Sequence, residues 1–189
     1  YNRENQKSIL HQVYDYVTKH SIETLIKNKN LSHIIVHSPE NKNRLESTVN
    51  NIDENKISVL PAPTPSPPDD LTQTEARNEL HLPVDESVLL FFGGLRYGKG
   101  PDILIKALKN IQEDITVIFA GPAGRYDSED VESWQDTIGP NINVVNRVKF
   151  IDEQDVYKYF IASDIVVLPY RRMKGISGPL RRACITGTP

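Results

Sequence analysis

Apolar positions along the chain follow two rhythms. Within residues 8–27, Ile9, Val13, Tyr14, Val17, Ile22, Leu25 and Ile26 recur at near-helical spacing, with charges and amides opposite. That pattern predicts one or two amphipathic helices. Leu31 to Ser38 is a β-branched run, and Ser38-Pro39 predicts a helix capped by the serine with proline at its first position. Ile57–Leu60 reads as another short strand and stops at Pro61-Ala62-Pro63-Thr64-Pro65-Ser66-Pro67-Pro68. Five prolines in eight residues cannot sit inside a sheet, so this stretch is an extended linker or domain junction.

Beyond the prolines, strands and helices alternate. Val88–Phe92 reads as a buried strand, followed by glycines and a helix from Pro101 whose apolar face is Ile103, Ala107 and Ile111, with Leu104 and Leu108 beside it. Ile115–Ala120 predicts a second strand and Ser128–Ile138 a helix. Asn143–Phe150 predicts a third strand, and Asp152–Ala162 a helix packing Val156, Tyr159 and Phe160. Ile165–Leu168 is a fourth strand and Gly178–Thr186 a last helix. Continuous apolar strands separated by helices imply a parallel sheet covered on both faces, a doubly wound α/β fold. The chain stops after Gly187-Thr188-Pro189, where another strand is due, and its opening helix lacks a packing partner; the expectation is a fragment holding the tail of one domain, a linker and most of a second.

Composition narrows the possibilities. With 189 residues, 22 Lys plus Arg against 25 Asp plus Glu, and a net charge of −3, nothing supports a nucleic-acid binder that works by phosphate neutralisation. One cysteine, Cys184, excludes an internal disulfide. No apolar stretch approaches the ~20 residues that span a bilayer, and no leader opens the chain. A cytoplasmic protein is the expectation.

The most informative stretch is Gly93-Gly94-Leu95-Arg96-Tyr97-Gly98-Lys99-Gly100, between the end of a strand and the start of a helix. Glycines there admit close approach of a ligand, helix N–H groups favour an anion, and Arg96 and Lys99 supply charge suited to phosphate. The competing reading is a glycine-rich connection with two solvated cations. Gly93 to Lys99 fits seven places of a P-loop, but the eighth, which needs Ser or Thr for magnesium, is Gly100. Nor is the turn G-x-G-x-x-G.

Phe91 to Gly100 resembles the F-x-G-x-x-x-x-x-K-G turn of the family-four glycosyltransferases, which have the GT-B architecture of two facing Rossmann-like domains. Phe119-Ala120-Gly121-Pro122 is similar to that family's next strand and its terminal glycine. Ala162-Ser163-Asp164-Ile165-Val166-Val167-Leu168-Pro169-Tyr170 resembles the strand before the donor-sugar loop, and Gly187-Thr188-Pro189 the end of the following helix. Val36-His37-Ser38 and Asn41-Lys42 resemble the last strand and helix of the acceptor-side domain. The resemblance implies that residues 1–60 end an acceptor-side domain, 61–72 form the linker, and 73–189 form a donor domain incomplete at its C-terminus. It implies a UDP- or GDP-type sugar donor held by Gly93, Gly94, Arg96, Lys99, Gly121, Ser177 and Gly178. It further implies a carbohydrate or lipid-linked acceptor, retained stereochemistry, and neither metal nor separate cofactor. The full-length protein would then touch the inner membrane face at most peripherally, and its main catalytic groups would lie upstream of Tyr1. Ser177 and Gly178 also read as a simple cap and turn.

The family's two glutamates, with seven residues between them across this loop and helix, are replaced here by Lys174 and Arg182. Arg171, Arg172, Lys174, Arg181 and Arg182 put five cations into twelve residues. They suit a phosphate-rich donor, a lipid-phosphate acceptor, a subunit contact or an ordinary solvated face. Besides the transferase, two rival functions follow: a noncatalytic nucleotide-sugar-binding or assembly module, and a P-loop nucleotide hydrolase. His33 and His37, four apart in an apparent strand, would stand about 13 Å apart and do not suggest zinc. His11, His20 and His81 read as surface groups, and Asn30-Leu31-Ser32 as a chance glycosylation triplet. Asp152, Glu153 and Asp155 enrich a helix start, with Glu153 a candidate for the base or ribose. Trp134 and Cys184 read as packing residues.

Overall fold

The computed structural model describes residues 16–17, 19–49, 52–171 and 177–189, so Ile9, His11, Val13, Tyr14, Arg172 and Lys174 lie outside it. The chain divides into two compact units, Tyr1–Pro63 and Thr64–Pro189, meeting inside the proline-rich stretch.

In the first unit, helix α1 covers residues 19–26. Strand β1 (Ile34–Val36) pairs in parallel with β2 (Ile57–Val59), Ile34 opposite Ile57. The crossover between them carries α2 (Pro39–Thr48), where Ser38 accepts from the Asn41 amide and Pro39 opens the helix, as the Ser-Pro pair predicts. Among the described residues of this unit, Val49 and Ile57 are the buried apolar ones. His33 Nε2 meets Ser58 Oγ at 2.8 Å and His37 Nδ1 meets the Leu60 carbonyl at 3.0 Å. The two imidazoles thus serve separate partners, Ser58 on the neighbouring strand and Leu60 just after it.

The second unit opens with α3 (Gln73–Leu80), for which the apolar pattern gives no signal because only Ala76 and Leu80 are apolar. Its signal is the cap instead. Thr72 accepts from the Glu75 amide while the Glu75 carboxylate takes the Thr72 amide and hydroxyl. Strands β3 (Ser87–Phe92), β4 (Ile115–Ala120), β5 (Ile142–Arg147) and β6 (Ile165–Val166) form one parallel sheet in the order β5-β4-β3-β6. Between them run α4 (Pro101–Leu108), α5 (Ser128–Gln135) and α6 (Glu153–Ala162), and α7 (Gly178–Thr186) follows β6.

The side chains of β3 and β4 divide by parity. Leu89, Phe91, Val117 and Phe119 pack with Leu104, Ile105 and Leu108 of α4 and Val131 of α5. Val88, Leu90, Ile118 and Ala120 pack on the other face with Ala76 of α3, Val156, Tyr159 and Phe160 of α6, and Ala183 of α7. Helices therefore cover both faces, the doubly wound arrangement that unalternating strands require.

Several expectations are corrected in detail. Helix α4 buries Pro101, Leu104, Ile105 and Leu108, an i, i+3, i+4, i+7 stripe, and leaves Ile103 and Ala107 exposed. Strand β5 ends at Arg147 because its partner β4 ends at Ala120, and Phe150 is 77% exposed. Helix α5 ends at Gln135, after which Thr137 N turns back to the Trp134 carbonyl. Strand β6 stops before Pro169, which has no N–H to offer. Cys184 is exposed, whereas Trp134 packs against Phe119 and Tyr126.

Candidate functional site

The strand order reverses direction between β3 and β6, since β4 and β5 lie to one side of β3 and β6 to the other. In open α/β sheets a ligand sits outside the carboxyl ends of the strands at such a switch. Here those ends deliver the Gly93–Gly100 turn from β3 and the Val167–Arg171 segment from β6.

Each cation of the turn lies against one of its glycines. The open side of Gly93, where a side chain would begin, lies 3.8 Å from Lys99 Nζ and 4.0 Å from Pro179 Cγ in the first turn of α7. The open side of Gly94 lies 3.4 Å from Arg96 Nε. Arg96 is exposed and makes no ion pair among the described residues. Lys99 is half-buried and donates to Tyr170 Oη at 2.8 Å.

Gly121 supports the turn from beneath. Its φ is +134°, and a Cβ there would stand 2.5 Å from the Gly93 carbonyl oxygen. The Gly121 amide is committed to the Arg147 carbonyl at 3.2 Å. Its contribution is room for the Gly93 backbone rather than a donor of its own.

Ser177 is buried and caps α7, accepting from the Leu180 amide at 3.3 Å. Its oxygen also meets Tyr170 Oη at 3.0 Å. Pro179 has no N–H and Leu180 is capped, which leaves the Gly178 amide without a partner among the described residues.

Arg171 has another task. It grips Asp102 with both nitrogens at 2.8 and 2.5 Å, donates to the Tyr97 carbonyl at 2.6 Å, and stacks 3.8 Å over the Tyr97 ring. Its backbone amide donates to the Gly98 carbonyl at 3.0 Å. The basic stretch is therefore no uniform patch, because Arg171 fastens the turn and Arg182 pairs with Glu153 at 2.5 Å. Hydrogen bonds from Arg171 hold the Asp102 carboxyl below its ordinary range. The same pair raises Arg171, while burial, with Asp102 nearby, raises the Tyr126 hydroxyl.

Sequence reasoning missed Tyr170 and the Arg171–Asp102 grip. The available signal was position: both Tyr170 and Arg171 follow the carboxyl end of β6, beside the turn.

Residues 86–189 match the family model described as "Glycosyl transferases group 1". A D-inositol 3-phosphate glycosyltransferase of Xylanimonas cellulosilytica is 31% identical over 130 residues, covering 67% of this chain and 30% of that protein. The sucrose-phosphate synthase of Thermosynechococcus elongatus superposes with a TM-score of 0.65 at 21% identity, over 94% of this chain and 43% of its own. Anabaena HepE, solved with UDP and glucose, gives 0.68 at 16% identity, over 90% and 47%. The chain thus spans less than half the length of these proteins. The structural likenesses show the GT-B fold. The family match runs from the start of β3 through α7 and so takes in the glycine turn, both cations and the capped helix: the chain belongs to the group 1 glycosyl transferases.

Proposed function

We propose that the second unit binds the nucleotide-diphosphate part of a sugar donor, UDP- or GDP-type, and that the protein transfers the sugar to a carbohydrate or lipid-linked acceptor. One observation carries this reading: the Lys99 ammonium lies beside the open side of Gly93 and the Arg96 guanidinium beside that of Gly94, at the switch point of the sheet. Negative charge grows on the diphosphate as the glycosidic bond breaks, and cations already in place stabilise it without reorganisation. In this reading they do so in place of a metal ion, and the sugar leaves with retained stereochemistry, as the family resemblance implies. The Gly178 amide, at a helix start, adds a neutral donor. Anabaena HepE, which shares the fold and was solved in complex with UDP and glucose, supports the donor class by analogy.

On the same reading, residues 1–60 end the acceptor-side domain, 61–72 link the two, and 73–189 belong to the donor domain. Among the described residues no helix is long and apolar enough to cross a membrane. A cytoplasmic enzyme that meets its acceptor at the inner membrane face only peripherally is the localisation we propose.

Titration calorimetry with UDP, GDP and their sugars tests the reading. Binding should appear for one base, and Lys99→Ala should weaken it by about 1–3 kcal/mol, the range for losing a charged hydrogen bond. Absence of binding to every one of them by the folded protein overturns it.

One observation favours a second reading, a noncatalytic sugar-nucleotide module. Where the family carries its second glutamate, Arg182 stands in an ion pair with Glu153. Sugar transfer by the full-length protein, abolished in Arg96→Ala and Lys99→Ala, decides for the enzyme; donor binding without transfer decides for the module. Gly100 weighs against the nucleotide-hydrolase alternative. A Cβ at Gly100 would stand 2.1 Å from the Pro169 carbonyl oxygen, so the Ser or Thr of a P-loop does not fit there.

A further inference from the structure

Resting on the donor-binding reading above, we propose that Tyr170 is a positioning residue. Its hydroxyl fixes the Lys99 ammonium over the glycine turn and links it to Ser177, so that the turn after β3 and the first turn of α7 meet the diphosphate as one unit.

The hydrogen bonds support this link. Lys99 Nζ donates to Tyr170 Oη at 2.8 Å, and an ammonium can only donate, so the phenol oxygen is the acceptor. The phenol proton is then free to go to Ser177 Oγ, 3.0 Å away. That serine oxygen already accepts from the Leu180 amide and has a second lone pair for the phenol proton; with the proton placed so, the bonds run from Lys99 through Tyr170 to Ser177. Among the described residues, two N–H bonds of Lys99 and the O–H of Ser177 are left unspent. The first lie beside the open side of Gly93 and the second beside the start of α7, whose Pro179 also borders Gly93.

Tyr170 also restrains Lys99 through its ring, with the ammonium 4.2 Å from the ring centroid. A lysine otherwise carries four rotatable bonds, and ordering them on binding costs affinity. Holding the ammonium in advance removes that cost. Lys99 and Tyr170 are 71 residues apart in sequence, so the contact exists only because β3 and β6 are neighbours.

The test compares ligands with and without phosphates. Tyr170→Phe keeps the ring over Lys99 and removes only the hydroxyl. It should weaken UDP or GDP about ten- to fifteenfold, the low end for a hydrogen bond to a charged group. Uridine or guanosine, which lack the diphosphate, should bind the variant within about twofold of wild type. In a Lys99→Ala background the same substitution should change diphosphate affinity by less than about twofold, because the group it positions is gone. Should Tyr170→Phe not fold, Ser177→Ala carries the same comparison from the other end of the link. If wild type binds the diphosphates, Lys99→Ala weakens them and Tyr170→Phe does not, the positioning role is overturned and the donor-binding reading stands. Equal losses for nucleoside and diphosphate would show general loosening and overturn it too. If wild type binds none of the diphosphates, both readings fall together.

Discussion

The backbone of Gly100 lies directly against the carbonyl of Pro169: a methyl group at residue 100 would stand 2.1 Å from that oxygen. Gly100 has a φ of +72° and is both the end of the Tyr97–Lys99 turn and the residue preceding Pro101 of α4. Gly100→Ala combines a left-handed backbone with a clash against main chain, and should cost about 2–4 kcal/mol. Chemical denaturation measures it. Because Tyr170 follows Pro169, the variant should also weaken diphosphate binding beyond what its stability loss explains.

Arg96 and Lys99 should differ in their response to salt. Arg96 is exposed and unpaired among the described residues, whereas Lys99 is half-buried and held by Tyr170. Exposed charges are screened over a Debye length of about 8 Å at physiological ionic strength, and partly buried ones less. The affinity lost in Arg96→Ala should shrink between about 0.05 and about 0.5 M salt, while the loss in Lys99→Ala persists. Calorimetry at the two salt concentrations distinguishes them.

Asp102 makes stability depend on acid. Its carboxyl is depressed in the folded state by Arg171, so its contribution is complete above the ordinary carboxylate value near about 3.9 and is lost as pH falls below it. Asp102→Asn should therefore destabilise at neutral pH by about 1–3 kcal/mol, for the loss of a charged hydrogen-bonded pair. The difference from wild type should narrow below about pH 4, where wild type loses the same interaction. Thermal melts of both proteins from about pH 3 to about pH 7 would show the convergence.

Arg77 should prove the costliest charge to remove. It is 4% exposed, donates to the carbonyls of Ala162, Val84 and Glu86, and pairs with Asp164 at 2.7 Å. Asp164 in turn accepts the Val88 amide at 2.7 Å, so the cluster ties α3, β3 and the start of β6 together. Arg77→Met should cost about 2–4 kcal/mol, because it leaves the Ala162, Val84 and Glu86 carbonyls without their donor. Asp164→Asn, which keeps the acceptor for Val88, should cost less. Both are read from unfolding midpoints.

How much of the fold and site is legible in the sequence depends on what carries the information. Strand β4 is legible to the residue because Ile115–Ala120 is buried from end to end and nothing else in the chain competes for that pattern. Strand β5 reads too long at its end because Val148 and Phe150 are apolar, yet pairing is set by where β4 ends. Helix α3 escapes notice because a capping box and a buried arginine, rather than apolar periodicity, hold it. At the site, Gly93, Gly94, Arg96 and Lys99 are visible because all sit in one eight-residue turn. Tyr170 is not, since its meaning comes from a neighbour 71 positions away. Arg171 looks like a phosphate ligand by charge and proves a fastener, because local sequence does not reveal which cations find carboxylates.

The link from Lys99 through Tyr170 to Ser177 also makes ligand recognition a gauge of assembly. Strand β6 stands at one end of the strand order; its register with β3 covers two residues, opposite Leu89 and Leu90, flanked by bonds from the Asp164 amide to Val88 and from the Val167 amide to Leu90. A chain with that end undocked would retain the glycine turn yet have lost the brace on its ammonium. A diphosphate would then select the fully docked form, and by mass action raise the melting temperature of that end of the sheet more than that of the β4–β5 pair.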